Sequence, residues 1–367
     1  MGRIRLIRTL ENGNNEGIAI EKLQGCLGCY TCESVCPSKI NFGKILDESL
    51  ALIRKKKPNP VITRIMLFLA EKKYLLKPLI HTIYLAQAIG LRSLLEKIGL
   101  YKLIGIQRAN ALLGKVNISR ILKNKINSTS DNKPVALFTG CFSSVLEQSV
   151  QQAAINVLNA LGMEVTQPKD QGCCGALHRH NGDLESAAKL ARKNIKAFSI
   201  NNSDAIVTTS SGCNASLKAY SMWLEDDDFK MPVMDVNHYL ANVMIENQVA
   251  FNKLPLKIAL HTPCTLRQNE NQEEAVIELL QKIPGLEILP LSGEPRCCGA
   301  GGSQMLNHPE MADALRDDIV KEIKAMGVDV LVSSNLGCAM HLRDGLAQAE
   351  IDIPLQHPVQ LIAQAIV

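Results

Sequence analysis

Apolar residues recur along this chain at the spacing of a single helix face. From Leu146 they stand at 146, 150, 154, 157, 158 and 161, which predicts a helix. Asp183 can cap a second helix whose stripe is 184, 187, 188, 191, 195 and 198. Pro309 suits a first helical turn, and 311, 315, 319 and 323 follow it. Between these stripes lie short runs rich in strand formers: VALFTG (135–140), AIVTT (205–209) and VLVSS (330–334). Alternating strands and helices predict an α/β fold with mainly parallel, doubly wound sheets. Sites in such sheets lie beyond the carboxyl ends of the strands. Cys141, Cys213, Cys264 and Cys338 all follow such a run.

The pattern repeats. Cys141 and Cys264 are 123 residues apart, Cys173 and Cys297 are 124 apart, and Cys213 and Cys338 are 125 apart. VALFTGC (135–141) pairs with KIALHTPC (257–264), DQGCCGA (170–176) with EPRCCGA (294–300), and DAIVTTSSGC (204–213) with DVLVSSNLGC (329–338). Three matched blocks at a nearly constant offset predict a duplicated domain. The expected divisions are 1–57, 58–134, 135–250 and 251–367, with NSTSDNKP (127–134) as a polar linker.

The segment from about Pro58 to Ile126 is helical in its spacing, apolar and basic. Arg54 to Lys125 carries 16 Lys and Arg against Glu71 and Glu96, while the whole chain is only +4, so this stretch points to an acidic partner surface. Such helices suit either an interface with anionic lipid or packing on the repeated domains with their lysines in solvent. The second reading is favoured. The longest apolar candidate, Pro78 to Leu91, is shorter than the ~18 residues a spanning helix needs.

Composition narrows the chemistry. The 367 residues are 46% hydrophobic and 21% charged, so a globular core is expected. Aromatic content of 4% gives little for stacking on bases, and no nucleic acid partner is expected. No secretion signal stands at the start, and the 12 cysteines cluster in motifs rather than dispersed pairs. That usage suggests metal ligands in a reducing cytoplasm rather than disulfides.

Cys26-x2-Cys29-x2-Cys32-x3-Cys36-Pro37 has the spacing that gathers thiolates on an iron–sulfur cube. A zinc site is the alternative, although zinc favours two separated pairs. In two-cluster ferredoxins the fourth cysteine of such a run serves the other cluster, which leaves Cys36 without an evident one here. The duplicated sets are Cys141, Cys173, Cys174, Cys213 and Cys264, Cys297, Cys298, Cys338. Four thiols converging from three loops suit an iron–sulfur cluster or another soft metal. The alternative is a buried structural cysteine group without metal. His261 and His341, three residues from Cys264 and Cys338, are candidates to ligate metal or tune a cluster, although such residues more often hydrogen-bond within a loop. His178 and His180 are expected to support the site from behind or to face solvent.

The repeated CCG pairs resemble the cysteine-rich CCG domain of the heterodisulfide reductase family. That family's fuller pattern has a further cysteine three residues before the last; here those positions are Ser210 and Asn335. GRIRLIRTLENG, CLGCYTCESVCPS, HTPC and CCGAGGSQM together resemble the iron–sulfur subunit of glycolate oxidase over nearly the whole chain. The resemblance implies a 4Fe-4S ferredoxin-like segment (1–57), a basic helical segment (58–134) and two CCG domains. It implies an oxidoreductase subunit that relays electrons from FAD-containing flavoprotein partners, which oxidise glycolate or D-lactate, towards quinone or another acceptor. It also implies a cytoplasmic place, with the inner membrane face as a candidate attachment surface. The family normally carries two ferredoxin motifs, and the first is expected to be missing here. GAGGS (299–303) lacks the strand–turn–helix setting of a dinucleotide site, so flavin is expected on partner chains. The alternatives are thiol–disulfide chemistry of the heterodisulfide reductase kind and a non-redox metal-binding scaffold.

Overall fold

The computed structural model describes Ile7 and residues 16–38, 40–117, 134–200, 203–224, 229–246, 249–267, 272–292 and 296–367. GRIRLIRTLENG apart from Ile7, and the linker before Pro134, lie outside the described residues.

The fold is α/β. Strands β1 (Pro134–Phe138), β2 (Glu164–Thr166), β3 (Ala205–Thr208) and β4 (Val233–Asp235) form a parallel sheet in the order β2-β1-β3-β4. Strands β5 (Lys257–His261), β6 (Glu287–Pro290), β7 (Val330–Ser333) and β8 (Leu355–Gln356) repeat it as β6-β5-β7-β8. The chain leaves the first strand of each sheet to one side and returns on the other. The carboxyl ends of β1 and β3, and of β5 and β7, therefore form topological switch points, where such sheets bind ligands. β3 and β7 are buried at every residue, as expected when helices cover both faces.

The two sheets share one core. Val135, Leu137 and Val207 of the first copy join a single buried cluster with Ile258, Leu260 and Val332 of the second. Each copy's last helix crosses over. Val236–Glu246, after β4, packs on Gln272–Gln281 of the second copy, and Pro358–Ala365, after β8, packs on Gln148–Ala160 of the first. His357 starts the latter helix with a reciprocal cap: Val359 N–H donates to its Nδ1 and its own N–H donates to Gln360.

The predicted helices form, with buried faces that differ in detail. Asp183 caps Leu184–Ser199 by accepting from Ser186 N–H at 3.2 Å. Ala187, Ala191 and Phe198 are buried, but Leu190 and Asn194 are buried as well, so the inner face is rotated from the expected stripe. Pro309–Met326 begins on its proline and buries Arg316 among Ala312, Ile319 and Ile323. An arginine in that stripe reads from sequence as a solvent-facing residue.

The first segment contributes the helices Glu16–Gln24, Thr31–Ser34 and Phe42–Lys56 around Leu23, Cys26, Phe42, Leu46 and Ile53. It is bound to the first copy by Arg179 donating to Asp47 at 2.6 Å and by Arg54 on Asp183 at 2.7 Å. Gly182 holds φ 73°, and a Cβ there would lie 2.3 Å from the Leu50 carbonyl oxygen. Only glycine permits so close an approach.

The basic segment forms five helices between Val61 and Leu113. They bury Leu67, Ala70, Leu76, Ile80 and Leu112, and Thr63 donates to Asn307 at 2.6 Å. Val61, Phe68, Tyr74, Ile89, Leu94, Ile98 and Leu103 stay more than half exposed. The helices do pack on the repeated units, but apolar residues as well as lysines are exposed on them. Among the described residues no helix is long and apolar enough to cross a membrane.

Candidate cysteine-lined redox centre

Cys141 follows β1, while Cys213 sits in the first turn of Ser211–Lys218 after β3. The β1–β3 pairing thus sets both at the switch point, and the loop after β2 brings Cys173 and Cys174 against them. Cys264 opens the helix after β5, and Cys338 sits in the first turn of Leu336–Gln348 after β7. No disulfide joins any of the twelve cysteines.

The first set forms a chain of thiols. Cys141 Sγ lies 3.5 Å from Cys173 Sγ, and Cys174 hydrogen-bonds both Cys173 and Cys213. In the second set Cys264 hydrogen-bonds Cys297, and Cys298 hydrogen-bonds Cys338. These thiol–thiol bonds lower Cys174, Cys297 and Cys298 from the ordinary thiol range and raise Cys173, Cys213, Cys264 and Cys338. Burial opposes the first effect and adds to the second.

The glycine of each CCG turn has a structural reason. Gly175 (φ 86°) and Gly299 (φ 82°) turn their N–H groups back on the sulfurs of Cys173 and Cys297, each at 3.4 Å. They also pass close under a helix. A Cβ at Gly175 would lie 3.2 Å from Ala187 O, and one at Gly299 would lie 2.3 Å from Ala312 O.

The first pair is braced by neutral groups. Asn194 Nδ2 donates to Cys173 O at 2.8 Å, while Ser216 Oγ and Tyr220 OH donate to Cys174 O, both at 3.0 Å. In the second copy His341 stands where Ser216 stands in the first, and its Nε2 donates to Ala312 O at 3.1 Å. Arg267 holds the Arg296 carbonyl at 2.7 Å, just before Cys297.

One cavity of about 820 Å³ reaches all eight of these cysteines. Leu27, Gly28 and Tyr30, from the first cysteine motif, line it too. Gln304 ties that loop to the second copy by donating to Gln24 O at 2.7 Å and Cys26 O at 3.1 Å. Cys26 is buried, Cys29 and Cys36 are half-buried, and Cys32 is exposed. The structure therefore gathers the two repeated sets and leaves the first motif more open. Thiolates are soft donors, and buried ones receiving N–H groups suit an iron–sulfur group or another soft metal.

Of the histidines, His178 is fully buried with Nε2 3.1 Å from Glu71, and burial lowers its pKa. His180 stacks near Tyr30 at 6.4 Å. His261 is buried, and its ring nitrogen lies within 4.8 Å of the sulfurs of Cys298 and Cys338. Asp313, His341 and Asp344 also cluster. Arg108 and Arg316 pair with those carboxylates, which makes the cluster an ion-pair network rather than an open cation site. The sequence pattern pointed to neither arginine.

Two parallel α/β units, each offering a CCG pair and two strand-end cysteines, agree with the family comparison: residues 135–218 and 258–343 match the cysteine-rich domain family CCG. Over nearly its whole length the chain resembles the iron–sulfur subunits of glycolate oxidase. It is 27% identical to the "Probable glycolate oxidase iron-sulfur subunit" of Bacillus subtilis (strain 168), across 94% of this chain and 82% of that one. It is 28% identical to the "Glycolate oxidase iron-sulfur subunit" of Escherichia coli (strain K12), across 100% of this chain and 87% of that one. "Lactate utilization protein A" of Exiguobacterium sp. (strain ATCC BAA-1283 / AT1b) is 28% identical across 63% of this chain and 98% of that one.

Proposed function

We propose that this chain is the iron–sulfur electron-transfer subunit of a 2-hydroxy-acid dehydrogenase complex, with glycolate or D-lactate as the substrate class. The observation that carries this reading is the single cavity reaching both repeated thiol sets and the loop of the first cysteine motif. Electron relays need redox groups near one another, and a shared cavity at the junction of three units supplies that.

Cys26, Cys29, Cys32 and Cys36 would hold a 4Fe-4S cluster. Cys141, Cys173, Cys174 and Cys213 would hold a second metal group, and Cys264, Cys297, Cys298 and Cys338 a third. Bound clusters would supply one-electron transfer. The chain's own residues keep five of the eight cysteines buried and three half-buried, aim the Gly175 and Gly299 N–H groups at the sulfurs and fix the first pair's carbonyls through Asn194, Ser216 and Tyr220. Hydride removal from the hydroxy acid is assigned to FAD on partner flavoprotein subunits, and onward transfer to quinone. Exposed Phe68, Ile89, Ile98 and Leu103, with exposed Lys97 and Lys102 on the same segment, support peripheral contact with the inner face of a membrane.

Thiol–disulfide chemistry has less support. Asn335, where the fuller pattern has cysteine, is occupied as a helix cap that accepts from Gly337 and Cys338 N–H. The test is anaerobic purification of the chain with its flavoprotein partners, followed by addition of glycolate or D-lactate and a quinone analogue. Substrate-dependent bleaching of iron–sulfur absorbance, reversed by the quinone, is expected. Zinc in place of iron, or clusters that stay oxidised with every hydroxy acid, would overturn the proposal.

A further inference from the structure

The two thiol sets differ at one position of the same register. His261 ends β5 beside Ser333 of β7, as Phe138 ends β1 beside Thr208 of β3. Phe138 packs on Phe198, with ring centroids 6.1 Å apart, and offers no donor atom. His261 is 1% exposed. Its Nδ1 faces Ser333 Oγ at 3.0 Å, while its Nε2 makes no hydrogen bond of ordinary geometry among the described residues and the ring interacts with the Cys298 thiol. A buried polar atom left unpaired is costly, and such an atom calls for an occupant. That occupant has sulfur neighbours: the histidine and the thiols of Cys298 and Cys338 place one ligand atom each within 4.8 Å of one another.

We infer that His261 Nε2 is a ligand to the metal group of the second site, joining Cys264, Cys297, Cys298 and Cys338, so that the second site is a mixed nitrogen–sulfur site and the first is sulfur only. This rests on the reading that both repeated sets hold iron–sulfur groups. Ligating histidines usually bind through one nitrogen while the other is held by a hydrogen bond that fixes the tautomer and the ring. Ser333 has that role here, because the strand register puts its hydroxyl against Nδ1. Asn335 cannot supply the additional donor, since its carbonyl oxygen already caps Leu336–Gln348.

The consequence is electronic. An imidazole added to four thiolates changes the donor set without changing the charge, so the midpoint potential of the second site differs from that of the first.

The test uses the full chain, reconstituted with iron and sulfide without oxygen and grown with 15N-histidine. Pulsed EPR of the reduced protein is expected to show a strongly coupled nitrogen whose coupling changes with the label. His261→Phe, which copies the first site, should lose that coupling and shift one midpoint potential while leaving the others in place. If His261→Phe does not fold, the labelled wild-type protein still carries the test. Clusters in both repeated sites with no histidine nitrogen coupling would overturn the ligand assignment alone. Too little iron and sulfide for two such clusters would overturn the iron–sulfur reading, and this inference with it.

Discussion

In the first copy the large residue over the CCG helix is Tyr220, and Ala191 on that helix is small. In the second the sizes are exchanged. Aligning the helices on Ala187 with Ala312, and on Cys213 with Cys338, sets Ala191 against Arg316 and Tyr220 against Gly345. Tyr220 and Ala191 share a buried cluster. A Cβ on Gly345 would lie 2.6 Å from Arg316 Cδ, so the arginine fills the space that the tyrosine fills in the other copy. Packing is satisfied both ways, but the electrostatics part. The first site is backed by a neutral hydroxyl and an amide. The second is backed by Arg316, paired with Asp344 at 2.6 Å, and fronted by His261. A duplicated scaffold can keep its thiols in place while the residues behind them set different environments.

The largest test of this comparison lies in the paired glycines. Gly299→Ala sets a methyl against the Ala312 carbonyl in a left-handed backbone, whereas Gly175→Ala meets Ala187 less closely. The expected loss is about 3–5 kcal/mol for Gly299→Ala and about 1–2 kcal/mol for Gly175→Ala, read by thermal unfolding of the full chain. Equal losses would show that the two turns are not packed differently.

Next comes the exchanged pair. Arg316→Leu leaves Asp344 buried at 5% side-chain exposure with Arg108 and Gln348 as its remaining partners, and should cost about 3 kcal/mol. Tyr220→Phe removes a single hydroxyl that donates to Cys174 O and should cost about 1 kcal/mol. Denaturant midpoints measure both. An Arg316 substitution as mild as Tyr220→Phe would mean that the second copy does not depend on its buried charge.

The smallest effect is pH-linked. Glu147 of the first copy is buried, and burial pushes its carboxyl from 4.5 up to about 7 against a hydrogen bond from Ser143. The folded state therefore holds a proton that the unfolded chain releases between these values. Stability is fully present below about 4.5 and falls as pH rises through about 7. Glu147→Gln should stabilise by about 1–3 kcal/mol at pH 8 and by almost nothing at pH 4.5. A gain independent of pH would remove the titration from the account. The matching position in the second copy, Glu270, lies outside the described residues.

The repeat was legible because the strand-end cysteines follow short runs of mostly apolar strand formers at a nearly constant offset. The α/β alternation followed from the same runs. What could not be read depends on distant partners. The rotated face of Leu184–Ser199 is set by Asn194, which is buried because it braces the Cys173 carbonyl. Arg316 looks like a surface residue until Asp344 and Gly345 arrive from a helix some thirty positions later. The exchange of last helices between copies leaves no local mark, since Val236–Glu246 and Pro358–Ala365 would carry apolar faces wherever they packed. The motif at Cys26 was clear as spacing, but its link to the second copy through Gln304 was not.

The most direct test of the central claim is an EPR-monitored redox titration of the full chain purified without oxygen. The account predicts reducible iron–sulfur signals beyond that of the Cys26 motif, with the two repeated sites at separate midpoints and only one of them moved by His261→Phe. A chain that carries zinc at those sites, or two sites that titrate at one potential and are indifferent to His261→Phe, would contradict it.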